Sequence, residues 1–303
     1  MSDFVSGFWS PYITLVSLAS ILGCGVFLWR LSTKRLPPGK KADVMGHVWD
    51  ENLEEYNNPL PRWWMWLFYL TIAFALGYLV LYPGLGTWPG LLHWTSHSQY
   101  DAEEAHATAT YDPIYARYAA MPIPAVAADP QARDIGQRIF LNNCAPCHAS
   151  DARGGRGYPD LTDNDWLYGG DPDTLVATIT DGRNGVMPAW AGVVGDEGVK
   201  NLANYVKSLS GSAFDPVRAA QGKVLFQTNC VACHGPDGKG NHTIGAPNLT
   251  DAIWLWGGGE STIMETIAKG RNGVMPSWGS FLGPQKIHLV AAYVYSLSHA
   301  EGK

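Results

Sequence analysis

The run Cys-x-x-Cys-His occurs twice, as Cys144-Ala145-Pro146-Cys147-His148 and as Cys230-Val231-Ala232-Cys233-His234, and uses four of the five cysteines. Two thiols one helical turn apart can each form a thioether to one edge of a porphyrin, while the adjacent imidazole reaches the iron from one face. This is the attachment pattern of haem c. A zinc half-site or a thioredoxin-like pair would need partners that the chain does not supply. A disulfide framework gives no reason for a histidine after each pair. The expected cofactors are two haem c groups, held covalently by Cys144, Cys147, Cys230 and Cys233, with His148 and His234 as axial ligands. The 34 glycines and 20 prolines suit a loop-rich chain wrapped around rigid cofactors.

Between Asp3 and Arg30 there is no charged side chain, and Trp9 to Trp29 is almost continuously apolar. That length crosses a hydrocarbon layer of about 30 Å at about 1.5 Å per residue. A cleaved signal peptide would carry a basic start, which is missing here. The same gap argues against a lipoprotein site at Leu22-Gly23-Cys24, so Cys24 reads as a buried apolar cysteine. A second span runs from about Trp63 to Tyr82, with Trp63, Trp64 and Trp66 at one end and Tyr78, Tyr82 and Trp88 at the other, as interfacial belts require. The connection holds Arg30, Lys34, Arg35, Lys40, Lys41 and Arg62, whereas the N-terminal flank has no Lys or Arg. Positive-inside places the connection in the cytoplasm. Everything after about residue 90 then lies outside, where haem c is attached, and the expected location is a bacterial inner membrane with periplasmic haem domains.

From Tyr100 to about Ala128 the chain is alanine-rich and acidic and ends in Met121-Pro122-Ile123-Pro124, which reads as a partly helical, partly extended tether. Beyond it the sequence repeats. Leu161-Thr162-Asp163 matches Leu249-Thr250-Asp251, Gly182 to Pro188 matches Gly270 to Pro276, and Trp166 and Trp190 match Trp254 and Trp278, each at an offset of 88 (249 minus 161). The Cys boxes are offset by 86 (230 minus 144), so two residues were inserted in the second copy. Duplication explains the pattern. Each copy opens with a helical stretch, Ile135, Gly136 and Ile139-Phe140, then Gly222 and Leu225-Phe226, in which glycine permits close helix contact. Each closes with apolar residues at helical spacing: Val199, Leu202, Ala203, Val206 and Leu209, then Ile287, Val290, Ala291, Val294 and Leu297. These resemble the crossing first and last helices of class I cytochromes c. The predicted fold class is all-α: two N-terminal transmembrane helices followed by two tandem class I cytochrome c domains. The boundaries are 1–32 for the first span and its flank, 33–62 for the cytoplasmic connection, 63–90 for the second span, 91–128 for the tether, and 129–211 and 212–303 for the two domains.

One face of each iron remains to be filled. Met187 and Met275 are the candidates, because a methionine thioether raises the potential relative to a second histidine. Each precedes a proline, which favours an extended loop across the ring. Each also lies about forty residues past its histidine, 187 minus 148 being 39 and 275 minus 234 being 41. Local pairing within each copy is assumed, since exchange would require long loop crossings. Met121 reads as a tether contact and Met264 as helix core. His93, His97, His242, His288 and His299 occur in one copy each and read as surface or interface residues. Arg183 and Arg271 suit haem propionates, since a planar guanidinium matches a carboxylate, and the four matched tryptophans read as pocket walls.

The two haem boxes, the two Gly-Val-Met-Pro loops, the two spans and the stretch Tyr56-Asn57-Asn58-Pro59-Leu60-Pro61-Arg62-Trp63-Trp64 resemble the diheme subunit (subunit III) of cbb3-type cytochrome c oxidases. Many members of that family have a single span. The resemblance implies a chain that accepts electrons from a soluble or membrane-attached donor cytochrome c and passes them to a monohaem cytochrome c subunit. Oxygen reduction and proton pumping then belong to the haem–copper centre of the catalytic subunit. With histidine and methionine on both irons, no oxygen-reducing site is expected in this chain, and nucleic acid is not among its expected partners.

Two other readings use the same haems. A diheme peroxidase needs one iron without its sixth ligand, against which two matched methionines argue. A membrane cytochrome of another respiratory complex would share the chemistry and differ in partners. Net charge is −6 over the chain, and residues 129–211 hold eleven acidic and seven basic side chains against six and seven in 212–303. Complementary charge speeds encounter, so a basic donor is expected to dock on the first copy, near Asp171 and Asp173.

Overall fold

The computed structural model describes residues 4–33 and 36–299. Asp3, Lys34 and Arg35, whose charges enter the topology argument, lie outside them. The chain forms two compact units, residues 1–108 and 109–303.

In the first unit, α1 (Trp9–Ser32) and α2 (Arg62–Leu81) are long and apolar enough to cross a membrane. They pack on each other, with Ile72 approaching Gly25. A helix that is apolar all round belongs in a core or in lipid, yet α2 buries no residue and α1 only Leu28. Their apolar surface therefore awaits a nonaqueous surrounding. Between them, β1 (Val44–Trp49) and β2 (Leu53–Tyr56) form an antiparallel hairpin, turned by Asp50 and Glu51 at positive φ. A polar helix, α3 (Ser96–Ala119), follows.

The second unit takes in the end of α3, from residue 109, and continues with α4 (Ile123–Ala128) and α5 (Pro130–Asn143), followed by α6 (Ala145–His148), α7 (Pro172–Asp181), β3 (Arg183–Met187) and α8 (Ala191–Leu209). The second copy repeats the plan as α9 (Pro216–Asn229), α10 (Val231–His234), α11 (Glu260–Lys269), β4 (Arg271–Met275) and α12 (Gly279–Ser298). The same local chemistry starts both opening helices. Asp129 and Asp215 accept N–H bonds from the first turn, and Pro130 and Pro216 supply a preset φ where no donor is needed.

The closing helices are exchanged. α8, from the first copy, packs on α9 and α11 of the second, whereas α12, from the second copy, packs on α5, α7 and α4. The sites reserved by glycine identify the partners. A Cβ on Gly222 would collide with the Asn201 carbonyl and Tyr205 of α8, and one on Gly136 with the Leu289 carbonyl and Tyr293 of α12. The cause is the connection: only residues 210–215 separate α8 from α9, and so short a link makes antiparallel neighbours. Buried Asn204 of α8 tightens the link by accepting the Asp215 N–H at 2.9 Å while donating to the Lys200 carbonyl and Glu260. With α8 committed to α9, α12 closes the first core.

Two features depart from a purely helical tandem. Arg183–Met187 and Arg271–Met275 are extended and pair antiparallel, Met187 opposite Arg271 and Met275 opposite Arg183. A residue before proline is pushed out of helical geometry, which leaves both runs free to form a ribbon. The stretch expected to tether the domains is also partly core: Tyr118, Ile123, Val126 and Ala127 are buried with Phe140, Leu289 and Val290. Met121 joins this core at its edge, and its carbonyl lies 2.9 Å from His288 Nε2. Tyr118 carries the Arg117 guanidinium 4.5 Å from its ring centroid, and its hydroxyl reaches Gln131 at 3.2 Å.

Truncating the fully buried Leu289 to Ala is expected to destabilise the fold by about 2–5 kcal/mol. Native-state hydrogen exchange would then show faster opening of α5, which belongs to the other repeat, while α9 keeps its protection.

Candidate haem sites

Both Cys boxes occupy one helical turn that begins where an opening helix ends. Cys144 and Cys230 close α5 and α9 with backbone bonds to Phe140 and Phe226. Their carbonyls then accept the N–H of His148 and His234 at 3.0 Å. Each histidine points one ring nitrogen back at the protein: Nδ1 of His148 lies 3.2 Å from the Pro159 carbonyl, and Nδ1 of His234 lies 3.2 Å from that of Pro247. A carbonyl only accepts, so Nδ1 carries the proton and Nε2 keeps its lone pair for a metal. Burial pushes both imidazoles below their ordinary range, only partly offset by these bonds. A neutral ring is what iron ligation requires.

The thiols fit thioether attachment better than thiolate chemistry. Burial, with a smaller contribution from the neighbouring Cys147, raises Cys144 to about 11, and burial with Cys233 raises Cys230 to about 11. A low thiol pKa marks redox and zinc cysteines, and these two are shifted the other way. No disulfide joins them. Cys147 and Cys233 are exposed, whereas Cys144 and Cys230 are half-buried.

The methionines lie across the repeat boundary from the boxes expected to share their irons. Met275 and Trp278 pack on the core that contains Cys144, Leu161 and Trp166, whereas Met187 and Trp190 pack on the core that contains Cys230, Leu249 and Trp254. Local pairing is therefore not what the packing supports. The closing helices carry their methionines with them, and the Trp278 N–H to Ile179 carbonyl and Trp190 N–H to Ile267 carbonyl bonds, both 3.0 Å, pin each arm in place. Met264 lies in the second core, as expected of a helix residue.

Arg183 and Arg271 open the two strands of the ribbon in matching settings. Nε of Arg183 donates to Thr178 Oγ1 at 2.9 Å with its guanidinium 4.7 Å from the Tyr168 ring centroid; Nε of Arg271 donates to Thr266 Oγ1 at 3.0 Å, 4.5 Å from Trp256. Sequence reasoning passed over Tyr168 and Trp256. Their 88-residue offset was the available signal.

Carboxylates gather where the repeats meet. Burial, then Asp251 and Asp163, pushes Asp165 up to about 6, and His242 opposes the shift. A raised carboxyl stabilises the fold below its unfolded value of 3.8 and loses that contribution as pH climbs through about 6. Asp165 is half exposed, so screening leaves on the order of 1 kcal/mol. Asp165→Asn is expected to raise stability by that amount at pH 7 and to flatten the pH 4–7 stability profile, measured by thermal unfolding.

Residues 41–89 match the family model of the N-terminal domain of cytochrome oxidase-cbb3, FixP. The model of cytochrome c oxidase, cbb3-type, subunit III matches twice, over 131–206 and 217–294. The cbb3-type cytochrome c oxidase subunit CcoP of Rubrivivax gelatinosus is 50% identical over 299 residues, 98% of this chain and 97% of that protein. The subunit FixP of Azorhizobium caulinodans is 41% identical over 272 residues, 83% of this chain and 92% of that protein. The subunit FixP of Bradyrhizobium diazoefficiens is 43% identical over 277 residues, 83% and 93%. With two helices able to span a membrane and cytochrome boxes in both repeats, this chain belongs to the cbb3-type cytochrome c oxidase subunit III family.

Proposed function

We propose that this chain is a membrane-anchored relay that binds two haem c groups and carries electrons from a donor cytochrome c toward the oxygen-reducing subunit of a cbb3-type oxidase. The observation that carries the reading is that each Cys box shares a core with a methionine from the other repeat. Cys144 and Cys147, with His148 and Met275, would hold one haem; Cys230 and Cys233, with His234 and Met187, would hold the other. Bound haem c supplies a one-electron ferric/ferrous couple. The chain tunes and shields that couple: the prolyl carbonyls fix the histidine tautomer, the thioether sulfurs favour the reduced state, and the tryptophans limit water. Arg183 and Arg271 have further guanidinium donors for propionate carboxylates. With a histidine and a methionine available to each haem, oxygen and peroxide would find no open position on either iron.

Both spans cross the membrane, and the basic connection, with Arg30, Lys40, Lys41 and Arg62, lies in the cytoplasm. The haem-bearing repeats then face the periplasm, within reach of a soluble or membrane-attached donor. A monohaem cytochrome c subunit and the haem–copper catalytic subunit are the partners that receive the electrons. A basic donor is steered by the acidic face of the first repeat, where Asp171 caps α7 through the Thr174 N–H.

Purification of the tagged chain from its own membranes is expected to bring down b-type haem and copper, with two c-type haems covalently on this chain, counted by its mass, and a third on the monohaem subunit. Company that lacks copper, or a high-spin c-type haem turning over peroxide, would contradict the assignment. Met275→Ala is expected to convert one of the two low-spin haems to a high-spin form that binds carbon monoxide, and to lower oxygen consumption on reduced cytochrome c at least tenfold.

A further inference from the structure

Each haem-box histidine depends on a loop that lies beneath an aromatic ring from the other repeat. After the first box, Gly155 and Tyr158 bond reciprocally at 3.0 and 2.8 Å, and Pro159 follows, the residue whose carbonyl orients His148. The Trp256 ring covers this turn so closely that a Cβ on Gly157 would come 2.7 Å from it. After the second box, Asn241 and Ala246 bond reciprocally at 2.9 and 3.0 Å, and Pro247, which orients His234, follows. There the ring of Tyr168 lies on Gly245, where a Cβ would collide with it. The Arg271 guanidinium lies over the Trp256 ring and the Arg183 guanidinium over the Tyr168 ring.

We infer that Trp256 and Tyr168 are positioning residues, each acting through a prolyl loop on the axial histidine of the repeat it does not belong to. The inference rests on the haem reading above. Both histidine bonds, at 3.2 Å, already lie at the long end of the N–H···O range, so a small outward shift of either loop weakens them. A ligating histidine that donates Nδ1–H strongly is the more basic ligand and stabilises ferric iron. Loosening the loop therefore raises the potential of the haem on that histidine. The first loop has a further anchor, the Gly157 N–H to the Leu255 carbonyl at 2.8 Å, so loss of Tyr168 is expected to move its haem further than loss of Trp256.

The test is a potentiometric titration of the full-length chain, separated from its partner subunits in detergent, with one of its haems labelled. Cys144→Ala leaves the first-box haem with one thioether and one intact vinyl group, which red-shifts its visible α band whichever methionine ligates it. In that parent, Trp256→Leu is expected to raise the midpoint of the labelled band and leave the other unchanged. Trp256→Tyr, which copies the mirror position, is expected to restore it, and Tyr168→Leu to raise only the unlabelled band. If the leucine chain does not accumulate with haem, Trp256→Phe decides, with a smaller rise expected. A Trp256 variant that shifts only the unlabelled haem, or shifts neither, overturns the inference. The two-band low-spin spectrum of the parent tests the haem reading separately.

Discussion

Residues 210–215 join α8 to α9, and the helix pair they force together decides how everything after the first Cys box is arranged. Backbone meets backbone where Gly222 faces Asn201, and side chains of Val199, Leu202, Tyr205 and Phe226 fill the seam. Once α8 is taken, α5 keeps an apolar face with Gly136 and Phe140 on it, and α12 is the helix left to cover it. Burial of the α12 residues Leu289, Val290 and Ala291 at 0% exposure shows how completely that cover seats.

The ribbon follows from the same exchange. Two closing arms that cross in opposite directions bring their Arg-Asn-Gly-Val-Met runs antiparallel, with Gly185 opposite Gly273 at the centre. Cross-strand neighbours share a face, so Met187 shares its face with Arg271, and Met275 with Arg183. Each arginine thereby adjoins the surroundings of both Cys boxes: it flanks the methionine packed with one and lies over the ring that covers the histidine loop of the other. The symmetry is imperfect. Glu265 draws Arg271, Arg156 and Lys269 within 3.5 Å, while the matching position beside Arg183 is Ala177. Exposed pairs of this kind contribute little stability. They do place different charge around the two sites.

Much of this was legible in the sequence. The haem boxes, the capping Asp-Pro pairs before α5 and α9, the glycines at the helix crossings and the two apolar spans follow from residue type and spacing. The duplication pointed to two cores of one plan. Its 88-residue offset cannot say which closing helix serves which core, because α8 and α12 carry the same apolar pattern and either fits either partner. Connection length breaks that tie, and the short run 210–215 was the clue. The ribbon was hidden because five residues with two glycines show no strand period. Tyr118 to Ala128 read as a tether because its prolines and alanines mask the Ile123, Val126 and Ala127 spacing that docks it on α12.

The most direct measurement is the spin state of each haem in a chain that stops after Trp278 and so lacks α12. The second box then retains Met187, α8, α9 and α11, while the first box loses the helix that seats Met275 against it. Low-spin absorption from the Cys230–Cys233 haem with a high-spin Cys144–Cys147 haem is the result this fold predicts. The reverse, an intact first haem and a damaged second, would mean that each repeat closes on itself.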